Sequence, residues 1–214
     1  MARQNFKAGT LEAPLPAVIV SVGDMEKSNL LTVAWTGILS SDPPRTYISV
    51  RPSRYSHAIL CEKKEFVINL TTEKLAFATD YVGVYTGAKV DKFEKCKLTK
   101  VESAVVSAPT VAESPIALEC KVFEVMHSGT HDIFMADIVN VSCDESLLDE
   151  NGRICFERAG LIAYSHGEYY SLGKKVGKFG FSTDKKKKPA KHTGKVKGTD
   201  GAKKPALGGK KVEK

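Results

Sequence analysis

The stretch from residue 29 to residue 57 constrains the fold more than any other part of the chain. From Leu31 onward, large apolar side chains alternate with small or hydroxyl-bearing ones. Strict alternation with a period of two predicts a β-strand whose two faces have different surroundings. One face would fill a core, and the other would suit a flat ligand. The two predicted faces are Leu31, Val33, Trp35 and Leu39 against Thr32, Ala34, Thr36 and Ile38.

A second strand and a helix follow this first strand. Residues 41–44, Ser-Asp-Pro-Pro, predict a turn, and residues 46–50 alternate again. A helical pattern then covers about residues 54–64, with Ser53 as its expected N-cap. The side chains predicted to share one side of this helix are Tyr55, Ala58, Ile59 and Glu62.

The junction between the second strand and the helix has the composition of an anion site. Arg51 and Arg54 flank the helix start, whose free N–H groups favour negative charge. The hydroxyls of Ser49, Ser53 and Ser56 add neutral donors. Two interpretations stay open from these residues alone: a phosphate cradle, or a capped surface helix with two solvated arginines.

Charge is distributed unevenly along the 214 residues. The formal net charge is +7, but residues 183–214 hold 12 lysines against 3 acidic residues, so that segment carries +9 and the rest −2. Few large apolar residues occur there to offset chain entropy, which predicts a folded body over residues 1–182 and a disordered, Lys-rich tail over 183–214. Two roles stay open for the tail: a solubilising extension, or a basic arm that contacts anionic partners non-specifically.

The cysteines and the apolar segments indicate the compartment. Five scattered cysteines without a Cys-x-x-Cys pair argue against a disulfide framework or a zinc site and fit a reducing cytoplasm. The N-terminus lacks the apolar run of a signal peptide, and no segment reaches the ~20 apolar residues of a membrane span. We therefore expect a cytoplasmic protein that binds neither metal nor membrane.

Strand patterns dominate the rest of the chain. Apolar runs predict strands at residues 17–22 and 66–70, and two longer patterns at 116–126 and 131–143 predict a hairpin. The remaining helix predictions are one over about 72–82, opened by Thr72, and a short turn at 91–95. This balance favours a closed or partly closed β-barrel with attached helices over a doubly wound sheet. The Gly-x-Gly-x-x-Gly sequence of a Rossmann nucleotide site follows none of the predicted strands.

An ordered set of motifs resembles one known family over residues 11–173. The segments read Thr-Val-Ala-Trp-Thr-Gly from Thr32, Asp-Pro-Pro from Asp42, Tyr-Ile-Ser-Val-Arg-Pro-Ser-Arg from Tyr47, Glu-Phe-Val-Ile-Asn-Leu from Glu65, Asp-Lys-Phe from Asp91, Gly-Thr-His-Asp-Ile-Phe from Gly129 and Ala-Tyr-Ser-His-Gly-Glu-Tyr-Tyr-Ser-Leu-Gly from Ala163. Together they resemble the flavin reductase-like family of FMN-binding split barrels. The resemblance implies a mainly β split barrel with attached helices, FMN as cofactor and a homodimer.

The resemblance also implies which residues surround FMN. Residues 32–36 would lie along the isoalloxazine, mainly through the backbone, and the phosphate would lie among Ser49, Arg51, Ser53 and Lys92. Asn69, which by itself could be a strand amide with a structural hydrogen bond, would lie near the ring. The full set expected to bind the cofactor is Asn29, Thr32, Val33, Ala34, Trp35, Thr36, Ser49, Val50, Arg51, Ser53, Ser56, Asn69 and Lys92.

His131 is the expected catalytic residue. Flavin reductases of this fold carry a Gly-Asp-His motif whose histidine approaches the nicotinamide. Gly129-Thr130-His131 keeps the glycine and the histidine but has threonine in the middle. This departure weakens the case for handling NAD(P)H more than the case for binding FMN.

Three functions follow from the resemblance and the composition. The first is an FMN-dependent NAD(P)H:flavin oxidoreductase, with NAD(P)H as cosubstrate. The second is a flavoredoxin-like electron carrier that accepts electrons from a protein redox partner. The third is a binding module whose flavin site is vestigial and whose basic tail contacts the partner.

Overall fold

The computed structural model describes residues 1–183 of the chain. The predicted tail therefore lies, apart from Thr183, outside the described residues. The chain divides into two compact units, residues 1–175 and 176–214. The described part of the second unit contains a 3₁₀ turn at Phe181–Thr183. All further elements belong to the first unit.

Residues 1–183 contain twelve strands and three α-helices. The strands are β1 (Leu15–Pro16), β2 (Val18–Gly23), β3 (Ser28–Val33), β4 (Thr36–Ser41), β5 (Pro44–Val50), β6 (Glu65–Leu70), β7 (Lys100–Val101), β8 (Thr110–Val111), β9 (Ile116–Ser128), β10 (His131–Cys143), β11 (Ile162–Ser165) and β12 (Glu168–Ser171). The helices are α1 (Tyr55–Lys63), α2 (Ala76–Val84) and α3 (Lys92–Cys96). A 3₁₀ turn, Glu73–Leu75, leads into α2.

Seven strands form one antiparallel sheet in the order β3-β2-β6-β9-β10-β5-β4. The predicted hairpin of β9 and β10 lies at its centre, with Ile116 opposite Cys143 and His131 opposite Ser128. Strands β3 and β4 follow each other in the chain but lie at the two ends of this order. A smaller sheet has the order β1-β11-β12. Strand β1 directly precedes β2 in the chain, so the hairpin of β11 and β12 lies near β2. The predicted mainly β fold with attached helices is confirmed.

The side chains of β2 enter two different cores. Val18, Val20 and Val22 pack inside the main sheet with Phe66 and Phe134. Ile19, from the opposite face, packs in a second cluster under the helices, whose other members are Leu30, Leu75, Ala78, Val82, Phe93, Leu98 and Val111. Burial on both faces explains why β2 reads as a continuous apolar run instead of an alternating one.

The single strand predicted from Leu31 to Leu39 is wrong. The chain leaves the ladder at Ala34 and Trp35, where the Thr36 N–H donates to the Ala34 carbonyl at 3.1 Å and the Ser49 N–H to the Trp35 carbonyl at 2.9 Å. Strand β3 pairs with β2, whereas β4 pairs with β5. The predicted core positions Trp35 and Leu39 are therefore 40% and 46% exposed. The large and small side chains alternate without interruption through this bend. The sequence pattern therefore gives no sign that the chain changes its partner strand from β2 to β5.

Helix α1 also differs from its prediction. It begins at Tyr55, and the residue at the N-cap position is Arg54, whose side chain makes no capping hydrogen bond. Ser53 therefore does not cap the helix. The buried side of α1 contains Ser56 and Leu60, while three of the four residues predicted to share a face are exposed: Tyr55, Ala58 and Glu62. The short turn predicted at residues 91–95 is helix α3, and Asp91 caps it by accepting a hydrogen bond from the Glu94 N–H at 3.1 Å.

Glu119 of β9 anchors the loop at residues 104–106. Its side chain is 1% exposed and accepts hydrogen bonds from the backbone N–H groups of Ala104, Val105 and Val106 at 2.9, 2.6 and 3.1 Å. The Asn140 amide donates a further bond at 2.7 Å. These four donors hold the pKa of Glu119 below its usual value against the opposing effect of burial, so the carboxylate stays charged in the interior.

Two classes of feature are absent from the described part of the chain. Within residues 1–183, none of the helices is both long and apolar enough to cross a membrane. The same residues bring together no group of three or more His, Cys, Asp or Glu side chains suited to a metal ion. The five cysteines, all of which fall in this range, are free thiols.

Candidate functional site

A cleft with two connected compartments opens between β3, the end of β5 and helix α2. One compartment has a volume of about 370 Å³ and the other about 410 Å³. Residues that line both compartments connect them: Leu31, Thr32, Arg51, Arg54 and Gly83. The cleft is therefore elongated, and we call its halves the aromatic compartment and the cationic compartment after their linings.

The aromatic compartment has a wall of apolar, aromatic and polar side chains. It is lined by Ala17, Val33, Ala34, Trp35, Ser49, Val50, Asp80, Val84, His131, Tyr164 and Tyr169 besides the shared residues. The rings of Trp35 and His131 lie nearly parallel, 7° apart in orientation, with their centroids separated by 6.5 Å. Tyr164 and Tyr169 come from the β11–β12 hairpin and contact each other edge to face at 5.7 Å. Such a lining suits a planar aromatic group.

The cationic compartment brings together three positive side chains. Arg51, Arg54 and Lys92 line it, and the ion pairs formed within residues 1–183 include none of the three. Hydroxyl and amide groups complete the polar lining, which comprises Asn29, Ser53, Tyr55, Ser56, Tyr85 and Thr86. Three cations without acidic partners, together with neutral donors, make a site for an anion.

Lys92 is buried at the base of the cationic compartment. It is 4% exposed, and its ammonium donates to the carbonyls of Leu30 and Val82 at 2.7 and 2.8 Å. Burial first, and the nearby Arg54 second, lower the pKa of Lys92 to about 8. An ammonium has three donors, so two bonds to carbonyls leave one for an anion in the compartment. That anion would offset the cost of burying the charge.

Glycines allow close packing around the same compartment. The Asn29 amide donates to the Ser56 hydroxyl at 2.7 Å, which joins β3 to α1. A Cβ atom on Gly87 would lie 2.2 Å from the Asn29 side-chain oxygen. On Gly83 it would lie 3.1 Å from Cβ of Thr32, whose hydroxyl donates to the Thr79 carbonyl. A side chain at Gly87 would therefore displace the Asn29 amide, and one at Gly83 would press against Thr32.

His131 lies at the end of the aromatic compartment as a neutral imidazole. Burial is the first cause that lowers its pKa, and the positive charges of Arg51 and Arg54 lower it further. The Thr130 hydroxyl lies 2.8 Å from Nδ1 of His131 and fixes the ring by a hydrogen bond. Asp132 lies on the other side of the strand and contacts His57 and His127 instead. His131 and Asp132 therefore do not pair, because consecutive residues of a strand point to opposite faces.

Comparison with known proteins identifies the family of this chain. The family model described as "Flavin reductase like domain" matches residues 11–173 of the chain, well over half of its length. The chain belongs to the flavin reductase-like family. The expected relationship is thereby confirmed, and with it a flavin-related redox function and flavin binding at the level of the family.

Two solved structures and one sequence relative illustrate the range of this family. Flavoredoxin of Desulfovibrio vulgaris (Miyazaki F) is 30% identical, with a TM-score of 0.79 over 85% of this chain and 100% of that chain. An FMN-binding protein from Thermus thermophilus is 26% identical, with a TM-score of 0.70 over 83% and 98%. The reductase component of a FADH(2)-dependent resorcinol hydroxylase from Rhizobium sp. is 24% identical, covering 75% of this chain and 90% of its own. The structural likenesses confirm the split-barrel fold.

Most of the site residues expected from the flavin reductase-like family lie in the cleft. The structure places twelve of them there: Asn29, Thr32, Val33, Ala34, Trp35, Ser49, Val50, Arg51, Ser53, Ser56, Lys92 and His131. Thr36 and Asn69 lie elsewhere. Their assignment to the flavin stays a prediction from the family, but neither side chain faces this cleft.

The polar atoms of Thr36 and Asn69 already have partners within the fold. Thr36 is buried, and its hydroxyl donates to the Tyr47 carbonyl. Asn69 is 0% exposed and donates to the Ile19 carbonyl at 3.0 Å, while its oxygen accepts from the Val111 N–H at 2.9 Å. Asn69 therefore has the structural role that its buried strand position suggests.

Several cleft residues were missed in the sequence. The aromatic compartment also contains Asp80, Tyr164 and Tyr169, and the cationic compartment contains Thr86 and Gly87. The tyrosines belong to a motif that carried the family resemblance, so its aromatic pair was the available signal. Asp80 gave no signal, because an acidic residue on a helix is most often a solvated surface group.

Proposed function

We propose that this chain binds FMN in the cleft and acts as an NAD(P)H:flavin oxidoreductase. The observation that carries the proposal is the cationic compartment, where Arg51, Arg54 and Lys92 have no acidic partner in the described chain and adjoin the aromatic compartment. A ligand with a planar ring at one end and a phosphate at the other matches both halves. FMN has this shape and charge.

The cationic compartment fits the terminal phosphate of FMN. Arginine and lysine donate charge-assisted hydrogen bonds to phosphate oxygens, and the Ser53 and Thr86 hydroxyls add neutral ones. The phosphate would also supply the negative charge that the buried Lys92 lacks. Riboflavin, which has the ring but no phosphate, offers nothing to these cations, so the proposal favours FMN over riboflavin.

The aromatic compartment fits the ring system. Val33 and Ala34 form part of a wall on which a planar group can lie, because the β2–β3 ladder ends at Val33 and leaves the next backbone groups unpaired with β2. Trp35 and the β11–β12 tyrosines enclose the ring and reduce its contact with water. When bound, the flavin supplies the transfer of a hydride or of electrons, and the protein supplies position and surroundings.

His131 would position the nicotinamide of NAD(P)H at the open end of the aromatic compartment. Its imidazole is neutral near pH 7, so it can accept or donate one hydrogen bond without repelling a cationic nicotinamide product. The Thr130 hydroxyl holds the ring in place where the family pattern has an acidic residue. His131 thus needs no carboxylate to keep a defined orientation.

A second candidate is a flavoredoxin-like electron carrier. Two observations favour it: the 30% identity with flavoredoxin over all of that chain, and the presence of Thr130 in the Gly-Asp-His position. A carrier would be reduced by a protein partner and would oxidise NAD(P)H slowly. Four further expectations stay predictions: a homodimer, a cytoplasmic location, a protein redox partner and contacts of the basic tail with anionic partners.

Steady-state oxidation of NADH and of NADPH, with free FMN as acceptor, distinguishes the two functions. The reductase predicts turnover with at least one nucleotide and a His131→Ala variant that reduces flavin at least about tenfold more slowly at unchanged FMN affinity. A carrier predicts negligible turnover while the protein, reduced chemically, still passes electrons to an acceptor protein. Purified protein that neither contains nor takes up flavin would refute both.

A further inference from the structure

A second constellation of reactive side chains lies outside the cleft, where α1 meets the β9–β10 hairpin. Nε2 of His57 lies 2.7 Å from Oδ2 of Asp132, and Nδ1 of the same ring lies 3.7 Å from Sγ of Cys61. His127 contacts the other oxygen of Asp132, its Nδ1 lying 2.8 Å from Oδ1. A thiol, an imidazole and a carboxylate are thereby connected in series.

The fold fixes this series from two sides. His57 and Cys61 are four residues apart on α1, so they share one face of the helix, one turn apart. Asp132 and His127 are cross-strand partners in the β9–β10 hairpin. The edge of Phe134 packs on the His57 ring at 5.4 Å and leaves the imidazole side chain only 14% exposed. The imidazole therefore has a single orientation, with one nitrogen on the carboxylate and the other on the sulfur.

The thiol itself is accessible. Cys61 is exposed, whereas the other four cysteines, which the structure also describes, are buried or half-buried. Neither compartment of the cleft is lined by Cys61, so flavin binding leaves it accessible. Acyl transfer would also require a substrate groove and oxyanion donors, whereas attack on a disulfide requires only an accessible thiolate.

We propose that Cys61 is a thiol–disulfide exchange site for small disulfides, with His57 as its base and Asp132 as the residue that positions His57. The Sγ–H bond breaks as Nδ1 of His57 accepts the proton. The sulfur then forms a bond to one sulfur of the disulfide, whose S–S bond breaks with its electron pair on the leaving sulfur. That thiolate takes up the proton. The products are a mixed disulfide on Cys61 and one free thiol, so Cys61 is oxidised and the leaving sulfur is reduced.

Asp132 places a negative charge beside the His57 imidazole. Hydrogen bonds from His127 first and from His57 second hold the pKa of the Asp132 carboxyl below its usual value, so the group is a carboxylate near neutral pH. That negative charge stabilises the imidazolium formed when His57 accepts the thiol proton. Two histidines share this carboxylate, but only His57 reaches the sulfur, which makes His127 a matched control.

The test uses the full chain with two disulfide probes, oxidised glutathione and the chromogenic dithiobisnitrobenzoate. Peptide mapping by mass spectrometry after brief exposure to oxidised glutathione should find the glutathione moiety on Cys61 of the wild type and on no site of Cys61→Ser. The His57→Ala variant should react with the chromogenic probe at least about threefold more slowly, and added free imidazole should restore most of that rate. The His127→Ala variant should react within about 1.5-fold of wild type.

Several outcomes would overturn the assignment. The first is that another cysteine of the wild type reacts with the disulfide probe faster than Cys61 does. This result needs no substitution in α1. If His57→Ala and His127→Ala slow the reaction with the chromogenic probe equally, His57 has no specific role as the base of Cys61. Asp132→Asn keeps the shape of the side chain and avoids a cavity, so a wild-type rate in that variant would also count against the proposal. Flavin affinity should stay unchanged in Cys61→Ser, which keeps this test independent of the proposed flavin chemistry.

Discussion

The buried ammonium of Lys92 predicts how FMN affinity should depend on pH. In the protein without ligand, burial and Arg54 lower the pKa of Lys92 to about 8. A phosphate in the cationic compartment would favour the charged form and raise that pKa again. FMN binding above pH 8 therefore requires the uptake of a proton, whereas at pH 7 most of the Lys92 groups already hold one. Affinity should fall as the pH rises.

The size of the effect follows from linkage. At pH 7, one unit below the pKa, about nine-tenths of the Lys92 groups are charged, and at pH 9 only about one-tenth are. If the bound form stays protonated, the dissociation constant for FMN should rise about tenfold between pH 7 and pH 9, which corresponds to about 1.4 kcal/mol. A phosphate monoester has its second pKa near 6, so its own charge changes little over this range.

Titration of FMN and of riboflavin into the apoprotein, followed by fluorescence quenching, measures the effect. Riboflavin is the internal control, because it shares the ring and its ionisation but lacks the phosphate. The Lys92→Met variant is the matched protein control, since methionine keeps much of the length of the side chain without a titrating group. Lys92→Met should bind FMN more weakly than the wild type at pH 7. Its ratio of FMN to riboflavin affinity should not change between pH 7 and pH 9.

A ratio of FMN to riboflavin affinity that stays constant from pH 7 to pH 9 in the wild type would contradict the titration of Lys92. The same pH dependence of this ratio in Lys92→Met and in the wild type would show that another group titrates. Equal affinity for FMN and riboflavin at pH 7 would remove the phosphate site altogether.

Three further changes test the geometry. The double variant Arg51→Ala with Ser53→Ala should reduce the preference for FMN over riboflavin at least about threefold, measured by the same titrations, since it removes donors that line the cationic compartment. Gly87→Ala should weaken FMN binding with little loss of stability, because its Cβ would displace the Asn29 side chain. Glu119→Ala should destabilise the protein by about 2–4 kcal/mol in urea unfolding, since three backbone N–H groups lose their acceptor. A variant whose measured affinity ratio, FMN affinity or stability equals that of the wild type would contradict the role given to the contact that it removes.

Local signals predicted the regular elements of this fold well. The β-branched run at Glu65–Leu70 and the hairpin around Gly129 are strands because their patterns have no good alternative. Asp91 caps α3 because its short carboxylate reaches the third N–H of the helix. In each case, residues adjacent in sequence decide the structure.

Features that depend on distant partners could not be predicted from the sequence. The break at Ala34 and Trp35 arises because β3 and β4 pair with different strands, and the residues on either side of it alternate as a single strand does. The family resemblance places Asn69 near the flavin, whereas its hydrogen bonds to β2 and to Val111 decide its orientation in the fold. Tyr164 reaches the cleft only through the pairing of β11 with β1.

The two halves of the cleft share residues from the first part of the chain, but only the aromatic compartment also draws on later segments, and this difference has an evolutionary consequence. All residues that line the cationic compartment lie between positions 29 and 92, whereas the aromatic compartment also takes His131, Tyr164 and Tyr169 from much later segments. Under the proposed function, substitutions in the β11–β12 hairpin would change what approaches the ring without loosening the anchor for the phosphate. Related chains could then diverge in electron donor or acceptor while keeping the same cofactor, and a library restricted to those three late positions would explore that divergence directly.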